Sequence, residues 1–92
     1  MIKSFADSDT RRLFELEHVR KWASIEPQAL RKLAQLDLAQ NLGDMRVPPG
    51  NRLEALSGNR KGQWSIRIND QYLICFRWST DGPTYVEIVD YH

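Results

Sequence analysis

The hydrophobic period of the chain changes part-way along. Met1-Ile2-Lys3-Ser4-Phe5 mixes apolar and polar positions and reads as a short half-buried strand. Ala6-Asp7-Ser8-Asp9 then offers N-cap side chains for a helix beginning near Thr10. Leu13, Phe14 and Leu16 supply its apolar face, with Arg11, Arg12, Glu15 and Glu17 toward water. Arg20 to Ser24, with Trp22, reads as a connector. Pro27 suits a first helical turn, where its missing N–H costs nothing. A second helix is therefore expected from about Glu26 to Asn41. Ala29, Leu30, Leu33, Ala34, Leu36 and Leu38 form its apolar stripe, on which Asp37 falls without a local reason. Helical spacing stops at Leu42-Gly43, where Gly43 suits a C-cap, and Pro48-Pro49-Gly50-Asn51 excludes further helix.

From there the period is two. Arg52-Leu53-Glu54-Ala55-Leu56 predicts a short strand ended by Ser57-Gly58-Asn59. Gln63 to Asn69 puts Trp64, Ile66 and Ile68 on one face and Gln63, Ser65 and Arg67 on the other. Tyr72 to Trp78 sets Tyr72, Ile74, Phe76 and Trp78 opposite Leu73, Cys75 and Arg77. Asp81-Gly82-Pro83 turns the chain into a last strand, Thr84 to Asp90. The expected architecture is α+β, with an N-terminal strand and two helices packed on one face of an antiparallel sheet, in one domain over residues 1–92.

Parity takes this further. A loop of Asn69-Asp70-Gln71 pairs Ile68 with Tyr72, which sets Ile66 against Ile74 and Trp64 against Phe76. That face is the expected core. On the other face Arg67 stands across from Leu73, Ser65 from Cys75, and Gln63 from Arg77. Two readings of that face stand: a floor for an anionic ligand, or an ordinary solvated sheet surface.

Composition narrows the classes. At 92 residues and 41% hydrophobic content, the chain supports one modest core. No apolar run approaches the ~20 residues of a membrane span, and Met1 to Asp9 holds no signal-peptide stretch. The expected compartment is the cytoplasm. A lone Cys75 excludes an internal disulfide and any multi-cysteine zinc site. No metal-ligand spacing is present, and Gly50, Gly58 and Gly62 match no nucleotide-binding fingerprint, so no cofactor is expected.

The net charge of +1 hides an uneven layout. From Arg46 to Arg67 the chain carries Arg46, Arg52, Arg60, Lys61 and Arg67 against one acid, Glu54, a local charge of +4. A locally basic patch on a near-neutral domain meets anions, phosphate foremost; the alternative is a solubilised loop and hairpin. Glu54, beside several cations, tends to stay ionised and suits a base or an orienting group. The alternative is a surface ion pair worth about 0–1 kcal/mol. Asp90-Tyr91-His92 concentrates an acid, a phenol and an imidazole. Histidine titrates near neutrality and can pass a proton in catalysis; the alternative is a frayed tail. His18 reads as an exposed surface residue, and Cys75 as an inert mid-strand thiol.

Three stretches together resemble a known family. They are Asn51-Arg52-Leu53-Glu54-Ala55-Leu56-Ser57-Gly58-Asn59-Arg60, then Gly62-Gln63-Trp64-Ser65-Ile66-Arg67-Ile68-Asn69-Asp70-Gln71-Tyr72, and Val86-Glu87-Ile88-Val89-Asp90-Tyr91-His92. The chain resembles HigB-type toxins, the plasmid-maintenance or host-inhibition branch of the RelE/ParE superfamily, over essentially its whole length. The resemblance implies a RelE-like fold and a ribosome-dependent endoribonuclease that cuts mRNA in the decoding site. It also implies a HigA-type helix-turn-helix antitoxin, through which alone the toxin meets operator DNA. No membrane partner is implied.

The same resemblance assigns roles. Asp90, Tyr91 and His92 map onto the active-site triplet. Arg60, Lys61 and Arg67 map onto the RNA grip, with Arg52 and Arg77 beside them. In the implied reaction the 2′-OH attacks the adjacent phosphate without a metal, leaving a 2′,3′-cyclic phosphate and a free 5′-OH. Arg67 and Arg60 neutralise the transition state, His92 protonates the leaving oxygen, and Glu54 accepts the 2′-OH proton. Tyr91 positions the nucleotide and Asp90 orients its neighbours.

Two positions depart from the pattern. Some relatives carry histidine where this chain has Glu54, and toxins of this group commonly carry arginine where it has Leu73. The leucine removes a charge from the implied site and predicts an attenuated toxin, natural or engineered. The competing class is a non-catalytic inhibitor of the same fold, either a gyrase-binding ParE-like protein or a binder that blocks translation.

Overall fold

The computed structural model describes residues 1–91. Its first regular element is a helix, α1 (Ser8–Phe14), and the expected N-terminal strand does not form. The opening residues do run beside the last strand, β4 (Gly82–Asp90), but make only an isolated parallel bridge, Phe5 to Val86. The obstacle lies in β4. Pro83 has no N–H to offer, and Tyr85 turns into the left-handed region at φ 50°. The Tyr85 N–H donates to the Ser4 hydroxyl at 2.9 Å instead of joining a ladder. What remains is three scattered backbone bonds: Lys3 N–H to Pro83 O, Val86 N–H to Ser4 O, and Ala6 N–H to Val86 O.

The helical layer is shorter than the periodicity suggests. Leu13 is fully buried and Phe14 half-buried, its ring 5.6 Å from that of Phe5. Leu16 leaves the apolar face: it sits at φ 67° just past the helix and is 79% exposed. Arg20–Ile25 is not a loose connector but a 3₁₀ segment that buries Trp22 and Ile25. α2 spans Glu26–Leu38, with Pro27 in its first turn, and buries Ala29, Leu33 and Leu36. Ala34 and Leu38 face solvent. The helix stops before Asn41 because that residue caps the next segment, Leu42–Arg46. The Asn41 side chain accepts the Asp44 N–H, and the Asp44 carboxylate accepts the N–H groups of Asn41 and Gln40. Gly43 therefore lies inside a 3₁₀ turn and caps nothing. Asp37 also has its reason: it accepts the Ile2 N–H at 2.8 Å, anchoring the start of the chain to α2.

Four antiparallel strands follow in the order β1 (Glu54–Ala55), β2 (Trp64–Arg67), β3 (Tyr72–Ser79) and β4. β1 is cut to two residues because Arg52, at φ 48°, still belongs to a turn. The β2–β3 register agrees with parity: Trp64 pairs with Phe76, Ser65 with Cys75, Ile66 with Ile74, and Arg67 with Leu73. Ile66, Ile74, Phe76, Val86 and Ile88 form the core with Leu13, Trp22, Leu33, Leu36 and Met45. The α1 layer is tied to the sheet by the buried Thr10 hydroxyl, which accepts the Ile88 N–H at 3.0 Å.

β4 carries a bulge. Cys75 pairs with Glu87 but Arg77 pairs with Thr84, so two β4 residues, Tyr85 and Val86, answer Phe76 alone. Tyr85, at positive φ, is the residue that absorbs the extra step. Among the described residues no helix is long and apolar enough to cross a membrane.

Candidate functional site

The sheet face away from the helices is not uniformly open. Ser65 and Cys75, paired across β2 and β3, are both buried. The cover is Arg60, whose Nη1 donates to Gln63 Oε1 at 3.0 Å and Glu87 Oε2 at 3.2 Å. Burial pushes the Cys75 thiol up in pKa, Arg60 pulls it down, and Glu87 raises it again.

Toward the β2–β3 hairpin this face opens into a pocket of about 240 Å³. The chain around β1 contributes Arg52, Glu54 and Leu56; β2 contributes Ser65 and Arg67; β3 contributes Leu73; and Tyr91 closes it past β4. Each has a local cause. Asn51, fully buried, donates to Gln35 Oε1 and to the carbonyls of Met45 and Val47, and accepts from Lys32 Nζ. That fixes the turn from which Arg52 leaves. Glu54 pairs with Ser65 across β1 and β2. The hairpin is held by Asn69, whose side chain accepts the Gln71 and Tyr72 N–H groups at 2.9 and 2.8 Å. Tyr91 is held against the same hairpin by its N–H, which donates to Gln71 O at 3.1 Å.

Arg67 lies half-buried in the pocket wall. Its Nε donates to Asn69 O at 3.1 Å, and its Nη2 pairs with the Asp70 carboxylate. Glu54 is exposed. Two guanidinium groups, a carboxylate and a phenol thus converge beside the leucines at 56 and 73. Such a lining can grip a phosphodiester and take up a proton next to it.

The structure therefore brings Arg52, Glu54, Arg67, Leu73 and Tyr91 together. Arg60 stands outside this lining, paired with Glu87. Lys61 and Arg77 are exposed. Arg77 lies over Gly62, where an added Cβ would come within 2.7 Å of its Nη1 and where φ is +93°. Asp90 accepts from Gln71 Nε2 at 2.9 Å. His92 lies outside the described residues. Sequence reasoning missed Leu56 in the lining, Asp70 as the partner of Arg67, and Glu87 as the partner of Arg60. Parity already placed Ser65 on this face. No group of three or more His, Cys, Asp or Glu residues placed for a metal ion occurs among the described residues. A larger concavity, about 520 Å³, is lined by Lys3, Ser4, Phe5, Ala6, Asp7, Ser8 and Arg11 and shares none of these groups.

The model of a family described as the RelE-like toxin of type II toxin–antitoxin system HigB matches residues 3–92. The chain belongs to this family. It is 50% identical over 70 residues to Toxin HigB-1 of Vibrio cholerae, covering 76% of this chain and 73% of that one. An uncharacterized protein of Haemophilus influenzae is 37% identical over 51 residues, 55% of this chain and 50% of its own. Two solved structures share the fold. The YoeB-YefM complex from Staphylococcus aureus has a TM-score of 0.64 at 13% identity, covering 100% of this chain and 98% of that one. The YoeB/ParE toxin from Agrobacterium tumefaciens has a TM-score of 0.52 at 21% identity, covering 98% of each. The protein is a HigB-family toxin of a toxin–antitoxin system, a ribonuclease, and has an antitoxin as its partner.

Proposed function

We propose that this toxin cuts mRNA in the decoding site of the ribosome by 2′-OH attack on the adjacent phosphate. The observation that carries the reading is the convergence of Arg52, Arg67, Glu54 and Tyr91 in one pocket. The 2′-oxygen bonds to phosphorus while the P–O5′ bond breaks, giving a 2′,3′-cyclic phosphate and a 5′-OH. Arg67, with Arg52, neutralises the extra charge on the phosphorane-like transition state. Glu54 takes the 2′-OH proton, and His92 returns one to the leaving 5′-oxygen. Tyr91 positions the nucleotide, and Asp90 holds Gln71 beside it. Arg60, Lys61 and Arg77 contact the RNA backbone farther along the same face. The ribosome supplies the substrate geometry that so small a protein does not impose alone.

The partner that silences it is a HigA-type helix-turn-helix antitoxin, and operator DNA is reached only through that partner. Such a protein acts in the cytoplasm. Leu73 leaves the pocket wall apolar opposite Arg67, so cleavage is weaker than a third guanidinium there would give. Primer extension on mRNA from cells expressing the protein tests the reading. Discrete new 5′ ends inside reading frames are expected, and growth arrest without such ends overturns it.

A further inference from the structure

The Asp70 carboxylate, itself outside the pocket lining, holds the guanidinium of Arg67 that the proposed substrate would bind. Arg67 rises from β2 with its position fixed by the Leu73 pairing and only 27% of its side chain exposed. Its Nε is committed to the Asn69 carbonyl, which leaves the outer end of the guanidinium for a ligand. Asp70 takes that outer end, with its own side chain 94% exposed.

The hairpin does not need this carboxylate. Its shape is held by the Asn69 side chain on the N–H groups of Gln71 and Tyr72, and by the Ile68 N–H on Tyr72 O. Asp70 is the central residue of the loop, and its carboxylate contributes to none of these bonds.

Carboxylate and phosphate offer a guanidinium the same pair of anionic oxygens, so they compete for one place. We propose that Asp70 is a tethered stand-in for the RNA phosphate. It occupies Arg67 in the free toxin and must swing away before substrate loads. This rests on the reading of the pocket as an RNA site. Asp70 acts through Arg67 and is a positioning residue, one that sets how readily the pocket fills.

An exposed ion pair is weak, so the barrier is modest. Its removal should tighten binding roughly two- to fivefold, corresponding to a surface pair near the upper end of its usual range. The displaced carboxylate also stays near the incoming phosphate and offsets its charge. Removing it should therefore steepen the salt dependence, by up to about 0.7 in log–log slope for a single strand.

The experiment measures Kd for a fluorescein-labelled, fully 2′-O-methylated single-stranded RNA, which cannot be cleaved, across a sodium chloride series. The proteins are the wild type, Asp70→Asn, Asp70→Glu, Arg67→Gln and the Asp70→Asn/Arg67→Gln double variant, each checked by a thermal melt. Asp70→Asn should bind tighter with a steeper slope, Asp70→Glu should resemble the wild type, and Asp70→Asn should add nothing once Arg67 is gone. On ribosomes, Asp70→Asn should lower KM and leave kcat unchanged. An equal gain in the Arg67→Gln background would mean long-range charge and overturn the proposal. Unchanged binding in Asp70→Asn, with Arg67→Gln weakened, would overturn it while leaving the pocket reading intact. Full binding by Arg67→Gln would overturn both.

Discussion

Leu73 stands directly across the β2–β3 hairpin from Arg67, and both side chains line the same pocket. The position is half-buried and lies on the face away from the helices, so the leucine fills no part of the core. Leu73→Arg should change stability by no more than about 0.5 kcal/mol. It should raise cleavage sharply, since one such transition-state interaction is worth roughly 10²–10³ in rate. Primer extension at matched expression, beside a thermal melt, reads both. A destabilised variant would make Leu73 a packing residue; a stable one with unchanged cleavage would remove the position from the chemistry.

His92 follows directly after Tyr91, which lines the pocket. His92→Gln should preserve the melt and ribosome binding while abolishing new mRNA 5′ ends. Persistent cleavage in that variant would assign the leaving-group proton to another residue.

The basic residues should divide by what they touch. Arg60 holds Glu87 over Cys75, so Arg60→Ala should cost stability, about 1 kcal/mol for a partly exposed charged pair. Lys61→Ala and Arg77→Ala should leave the melt unchanged and flatten the salt dependence of RNA binding, each by about 0.7 in log–log slope for the phosphate it no longer neutralises. The idea fails if all three behave alike.

Asn51→Ala should damage the fold and the site together. It strips the buried carbonyl of Met45 and the partly buried one of Val47 of a donor and leaves Lys32 without its acceptor. The expected loss is about 2–3 kcal/mol, a fall of roughly 10 °C or more in Tm for a domain of this size. Because Arg52 leaves the same turn, KM should rise as well. An unaltered melt would deny Asn51 its role as the anchor of that turn.

Cys75 gives a pH dependence of definite sign. Burial holds the folded thiol's pKa above its ordinary value of 9.0. As pH climbs through 9.0 the unfolded chain loses that proton and the folded one keeps it, so stability falls. The Tm of the wild type should drop more steeply above about pH 9 than that of Cys75→Ala. Parallel curves would show that the thiol ionises equally in both states.

Much of the sheet was legible because one short loop fixes parity. Once Asn69-Asp70-Gln71 joins two alternating segments, every pair from Trp64–Phe76 to Arg67–Leu73 follows. The same logic placed Leu73 and Arg67 side by side on one face from the residue pattern alone. It failed at the N-terminus, where Met1 to Phe5 does not alternate strictly and the partner edge is broken by Pro83 and Tyr85. It also failed at Leu16, where a left-handed residue ends the helix inside an unbroken apolar pattern. Periodicity sees side chains, whereas both misses are events in the backbone. In the site, Arg52 and Glu54 were singled out by charge and by the family resemblance, not by pairing, because β1 is too short for its register to be read. The Arg60–Glu87 cover stayed hidden for a further reason: the side on which Glu87 falls depends on the bulge.

That bulge sets the phase of the end of the chain. Counted from the turn without it, the pairing Arg77–Thr84 would run on to put Ile88 opposite Leu73, on the pocket side. With Tyr85 as an uncounted step, Ile88 stays in the core, while Glu87 and Val89 share the face that Tyr91 then enters. One left-handed tyrosine thus acts as a frame-shift in space, delivering Tyr91 to Arg67 and Glu54 rather than to the helices. One residue gained or lost between Tyr85 and Tyr91 would exchange the core face for the pocket face.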